Sequence, residues 1–139
     1  MKRILLDLNV LLDVFQRREP HFRSAVQVLN RVAAGELLGC IPGHGVTTIH
    51  YLVERMQGTE KADEAVDWLL GKLEVVPETA STFLRARGLG FKDFEDAVAA
   101  SAAEQAKCDR IVTRNIDDFG NSPVTAVTPV ELEADPLGS

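Results

Sequence analysis

Apolar and polar positions along this chain alternate between two periods. Ile4-Leu5-Leu6 is an apolar run without polar alternation, the pattern of a strand covered on both faces. Leu37-Leu38-Gly39-Cys40-Ile41, Leu73 to Val76 and Arg110 to Thr113 repeat it, and Val124 to Val127 suggests a fifth strand at an edge. Between these runs the spacing changes to that of helices. A short one is expected over 9–16. A longer one over 21–34 has its stripe at Phe22, Ala25, Val26, Leu29, Val32 and Ala33, with Gly35 as its stop. Further helices are expected over 46–57, ending at Gly58, and from Thr59 as cap along Ala62, Ala65, Val66, Leu69 and Leu70. A short helix over 79–87 and an alanine-rich one over 93–107 follow. Thr128-Pro129-Val130-Glu131 combines an N-cap, Pro at N1 and Glu at N3, the signature of a terminal helical turn. Alternating strands and helices imply right-handed crossovers. The expected fold is α/β, a three-layer α/β/α sandwich around a mostly parallel sheet of four or five strands.

At 139 residues the chain is expected to be a single domain over 1–139 with a real core. No repeat or linker interrupts it. No apolar run approaches the ~20 residues that a membrane helix needs, and Met1-Lys2-Arg3 leads directly into the first strand without a cleavable signal. The expected location is therefore the cytoplasm, with no membrane partner. Cys40 and Cys108 are far apart in sequence, and Cys40 reads as a reduced, buried thiol. The net charge of −6 argues against nucleic-acid binding through a broad basic face. It leaves room for an enzyme that meets phosphates through bound cations, whose own charge reverses the local field.

Candidate chemistry lies in the acids. Asp7 ends the first strand, where a carboxylate is costly without a partner, and the carboxyl ends of parallel strands form the ligand crevice. In TTIHYLVER, Glu54 stands one turn beyond His50 on the same helical face. Taken alone, Glu54 also reads as a solvated helix residue and His50 as a packed one. In KDFEDAVAA, Asp93 and Asp96 share one side near a helix start; Asp93 reads equally as the N-cap. Asn115 belongs to the loop after the fourth strand and offers a carbonyl oxygen to a hard cation. Asp117 and Asp118 serve as well for a chain reversal. All four segments can converge on one crevice, where clustered carboxylates are ordinarily reconciled by a divalent cation held by oxygen.

The succession DLNVLLDV, TTIHYLVE and FEDAVAASAAEQAKCDRIVTRNIDDF resembles the PIN domain, especially the toxin nucleases of VapBC-type toxin–antitoxin pairs, over residues 3 to about 131. The stretch from Asp96 to Phe119 is its most specific part. The resemblance implies a Mg²⁺- or Mn²⁺-dependent ribonuclease with RNA as substrate, a VapB-like antitoxin as partner and a homodimer. Asp7 and Asp96 match the family's first and third acids, and Asn115 its fourth position. Asp93 stands beside them as a further ligand. Leu8 follows the first acid where a small hydroxyl residue is common, which removes a supporting hydrogen bond. The usual second Glu position falls on His50, while the carboxylate itself, Glu54, comes one turn later; the expected second acid is Glu54, with His50 as its substitute. Arg17, Arg18 and Arg114 are candidates to hold the RNA backbone, or else solvated surface charge.

Other functions fit less well. A phosphoacceptor signalling domain needs an Asp ending strand three and a later Lys, and Val75-Val76-Pro77 offers neither. A phosphatase with an Asp-x-Asp pair fails on Asp7-Leu8-Asn9. The remaining alternative is a PIN-fold RNA- or protein-binding module with weak or no catalysis, supported by the irregular placing of His50 and Glu54.

Overall fold

The unpatterned apolar runs form the strands of one sheet. The structure is a computed structural model and describes residues 1–135. In chain order the elements are β1 (Lys2–Leu6), α1 (Leu8–Phe15), α2 (Phe22–Ala33), β2 (Leu37–Pro42), α3 (Gly43–Gln57), α4 (Thr59–Lys72), β3 (Glu74–Val76), α5 (Ala80–Arg87), α6 (Phe94–Gln105), β4 (Arg110–Val112), β5 (Ala126–Val127) and α7 (Pro129–Ala134). A 3₁₀ turn, Ile116–Phe119, lies between β4 and β5. The strand order is β3-β2-β1-β4-β5, and every pair is parallel. The expected α/β/α sandwich holds, with five strands among the described residues.

Successive residues of β1 face opposite sides of the sheet. Ile4 and Leu6 join Ile41 and Val112 in a core beneath α1, α2, α3, α4 and α7. Leu5 faces the other way, with Cys40, Ile111 and Val76 against the alanines of α6 and Phe119 of the 3₁₀ turn. Seven consecutive residues of α6, Ala97 to Ala103, are buried, because the helix is enclosed between the sheet and α5. Their small side chains permit that close approach.

Most elements begin where the sequence predicts. Helix α3 begins at Gly43, three residues before the expected Val46. The Gly43-His44-Gly45 stretch reads as a loop in sequence, yet Gly45 is where the helix passes closest to its neighbours. A Cβ added there would lie 2.7 Å from Leu8 Cδ2 and 3.0 Å from Ile41 Cγ1, so glycine lets α3 start directly on the edge of β2. At the next junction Gly58, with φ +89°, precedes α4, and Thr59 is the first residue of that helix rather than its cap. The terminal signature forms as expected: Thr128 Oγ1 accepts the Glu131 N–H at 3.1 Å, and Glu131 Oε1 accepts the Thr128 N–H at 2.9 Å. Both cysteines are free and buried. Among the described residues no helix is long and apolar enough to cross a membrane.

Candidate active site

Because β1 is the central strand, its carboxyl end opens between β2 and β4. Asp7 stands at this end, tied to β4 by its backbone N–H, which donates to the Val112 carbonyl at 2.9 Å. Its side chain caps α1: Oδ1 accepts the Leu8 N–H at 2.8 Å. Oδ2 accepts the Thr113 hydroxyl at 2.7 Å. Thr113 is fully buried, and its oxygen also accepts the Asn115 N–H at 3.1 Å and the Asn9 side-chain amide at 3.4 Å. The hydroxyl that Leu8 cannot supply therefore comes from Thr113, immediately after β4.

Asp96 enters from the first turn of α6. Asp93 caps that helix, its Oδ1 accepting the Asp96 N–H at 3.0 Å. Burial pushes the Asp96 carboxyl up to about 7, and the charges of Asp7, Asp93, Asp118 and Glu95 add to the shift. Asp7 is also raised, first by burial and then by Glu95, against the hydrogen bonds from Thr113 and Leu8 and the charge of Arg114. Neither Asp7 nor Asp96 enters an ion pair among the described residues. Asp93, Asp96, Asp117 and Asp118 line a cleft of about 550 Å³ together with Lys92 and Asn121. Asp7 is not on that wall; it is turned onto Leu8 and Thr113 and acts on the cleft through Asp96.

The expected second acid does not reach this cluster. Glu54 is eleven residues into α3, about 16 Å from its start at 1.5 Å per residue. It is exposed and accepts the Thr59 hydroxyl at 3.1 Å. His50, about 10 Å along, pairs instead with Asp63 of α4, 2.8 Å from Nε2 to Oδ1. Both are held at the α3–α4 junction. Helix α3 starts directly after β2, so its first turn is the part of the helix next to the carboxyl edge of the sheet. Asn115 is exposed in the loop after β4, where the sequence places it.

Of the three candidate arginines, Arg114 is committed to the protein. Its Nε lies 2.6 Å from Oδ2 of Asp13, a fully buried carboxylate of α1. Arg18 is 3.9 Å from the same group, and Arg17 lies over the Phe22 ring. The signal for Asp13 was visible as an acid on the apolar helix LNVLLDVF. Thr113 and Glu95 had no such signal, and Asp118 read as a turn residue.

A further pair escaped sequence reasoning. His44, in the first turn of α3, meets Glu78 beyond β3: Nδ1 lies 2.6 Å from Oε2, and the His44 N–H donates to Oε1 at 3.0 Å. Its Nε2 is 3.7 Å from Oε2 of Glu95, the residue preceding Asp96. Among the described residues no three His, Cys, Asp or Glu side chains are gathered closely enough to hold an ion by themselves.

A family model described as PIN domain matches residues 3–117. The chain is 22% identical over 136 residues to ribonuclease VapC1 of Aquifex aeolicus (strain VF5), covering 94% of this chain and 93% of that one. Among solved structures it is similar to VapBC2 from Rickettsia felis bound to a promoter DNA fragment, with a TM-score of 0.72 and 19% identity over 91% of this chain and 98% of that one. It is also similar to a toxin-antitoxin complex from Klebsiella pneumoniae, with a TM-score of 0.70 and 22% identity over 91% and 97% of the two chains. These structural likenesses concern the fold. The match to the family model covers most of the sequence, including β1 with Asp7, the start of α6 with Asp96 and the loop after β4, and this chain belongs to the PIN domain family.

Proposed function

We propose that this chain is a divalent-metal-dependent endoribonuclease that hydrolyses RNA phosphodiester bonds as the toxin of a toxin–antitoxin pair. One observation carries the reading: Asp7 and Asp96 come to one sheet edge from distant parts of the chain, both are raised by burial and by neighbouring acids, and the one cation that acts on Asp7, Arg114, is paired with Asp13. Holding two such carboxylates together is unfavourable by itself, and a hard cation relieves it. The donors suit Mg²⁺ or Mn²⁺. Such ions are commonly held by one or two carboxylates, with water and substrate phosphate completing the shell. An open arrangement of few protein ligands is what that chemistry requires. Asp7 and Asp96 would hold the ion, with Asp93, Asn115 and Asp118 positioned around it.

When bound, the ion supplies a water of lowered pKa and polarises the phosphoryl oxygen. The chain's own residues orient the reactants. Thr113 fixes the Asp7 carboxylate, Asp93 fixes the start of α6, and Lys92 on the cleft wall offers a positive charge to the RNA backbone. The similar ribonuclease and toxin-antitoxin structures support RNA as substrate and a VapB-like antitoxin as partner, and the family resemblance supports a cytoplasmic homodimer.

A second reading, a PIN-fold RNA- or protein-binding module with weak or no catalysis, is favoured by the absence of Glu54 and His50 from the cluster. The test incubates purified protein with RNA in EDTA, Mg²⁺ or Mn²⁺, beside the Asp96→Asn variant. Metal-dependent cleavage lost in the variant is the expected result. Equal cleavage by both proteins would indicate a contaminating nuclease, and no cleavage together with no ion binding would favour the second reading.

A further inference from the structure

His44 stands in the first turn of α3, directly after the carboxyl end of β2. Continuing the β1–β2 register one step past Leu6 sets Asp7 level with Pro42, two residues before His44. The ring is held from behind. Glu78, with its side chain only 8% exposed, takes Nδ1 on one oxygen and the His44 backbone N–H on the other. A carboxylate at Nδ1 favours the tautomer with its proton on that nitrogen, in which Nε2 carries the lone pair. That Nε2 is buried and has no hydrogen-bond partner. The atom facing it, Glu95 Oε2, is also an acceptor, and their 3.7 Å separation is too long for a hydrogen bond. Two ligands each about 2.1 Å from one ion stand roughly 3–4 Å apart, so the gap has the width of a shared cation. A histidine that donates its other nitrogen to a carboxylate is also the usual arrangement of a metal-bound imidazole. Glu95 links this pair to the acids already described, since its charge acts on both Asp7 and Asp96.

We propose that His44 Nε2 is a ligand, with Glu95, to a divalent ion held at the carboxyl edge of β2 beside the Asp7–Asp96 cluster, and that the chain therefore takes Mn²⁺ in preference to Mg²⁺. The inference rests on the metal-dependent reading above and adds a nitrogen donor to it. Mg²⁺ is a hard ion that favours oxygen and keeps its water, whereas Mn²⁺, the first member of the first-row series, takes carboxylates as Mg²⁺ does and accepts an imidazole nitrogen more readily. Water completes the shell, because the protein offers few ligands.

The experiment measures Mn²⁺ and Mg²⁺ binding by calorimetry and pulsed electron paramagnetic resonance of bound Mn²⁺, on the whole chain without RNA. The wild type is expected to bind Mn²⁺ about tenfold more tightly than Mg²⁺ or better, with a nitrogen coupling in the resonance spectrum. His44→Gln should erase the coupling and bring Mn²⁺ affinity down to that of Mg²⁺, while His50→Gln keeps both. Glu95→Gln alters an exposed side chain and so leaves folding intact; it should weaken Mn²⁺ binding by about tenfold. Bound Mn²⁺ without nitrogen coupling, or with a coupling that survives His44→Gln, would overturn the proposal. If Asp7→Asn abolished Mn²⁺ binding in that case, the nuclease reading would still stand. Failure to bind either ion would overturn both.

Discussion

Thr113 Oγ1 lies 2.7 Å from Asp7 Oδ2, and this one hydroxyl joins the ends of two neighbouring parallel strands. It donates to the carboxylate and accepts the Asn115 N–H, so the first acid and the loop carrying the fourth position are set by the same atom. Thr113→Val keeps the shape and removes these bonds together with the one from the Asn9 amide. The expected cost is about 1–3 kcal/mol of stability, because Asp7 and the Asn115 N–H lose a partner, with a drop in RNA cleavage of roughly 10–100-fold. Urea unfolding and initial cleavage rates check the two effects; a variant unchanged in rate would show that Asp7 needs no such support.

Asp96→Asn should separate function from stability. Its charged form is penalised by burial and by four neighbouring acids. Removing the charge is expected to abolish cleavage while raising the melting temperature of the metal-free protein at pH 8. Calorimetric melting in EDTA tests this, and a lower melting temperature would contradict it.

The same carboxyl sets a pH dependence. Its folded-state value, about 7, lies above its ordinary value, so the folded protein binds more protons than the unfolded chain between the two. Its favourable contribution is complete below the ordinary carboxylate range and is lost as pH rises through about 7. Asp7, raised as well, acts in the same direction. Stability in EDTA should therefore fall from pH 5.5 to pH 8. Added Mn²⁺ should raise the melting temperature more at pH 8, where the carboxylates are ionised. A metal effect larger at pH 5.5 would refute the assignment.

Arg114→Ala is expected to destabilise by about 3–5 kcal/mol, since it leaves the Asp13 carboxylate buried beside only a distant Arg18. Combining it with Asp13→Leu should recover most of that loss. A role chiefly in holding RNA would instead give weaker RNA binding with unchanged stability.

Glu54→Gln should leave cleavage within about twofold of wild type. Its carboxylate is exposed and engaged by Thr59 at the far end of α3, so the change belongs with ordinary surface substitutions, within about 0.5 kcal/mol. A loss comparable to that of Asp96→Asn would restore it as the second acid.

Much of this was legible in sequence because it is local. Ile4-Leu5-Leu6 announces a two-sided strand, and Asp7 at its end needs only that strand to be placed. Asp93 and Asp96 share a helix start, so their spacing fixes their side. The second acid was misplaced because its position depends on where α3 leaves the sheet, and that is decided by how closely Gly45 packs on Leu8 and Ile41. No periodicity reports such a contact. Thr113 with Asp7 and His44 with Glu78 were missed for a related reason: the partners are 106 and 34 residues apart, and only the strand order brings them together.

That strand order also governs when the site can exist. β1 is made first, but one of its two neighbours, β4, comes more than a hundred residues later. A growing chain holds Asp7 long before it holds Asp96 or Thr113, and the contacts that orient the first acid close only after most of the protein has been synthesised. For the proposed nuclease, the site is therefore assembled only once the chain is nearly complete.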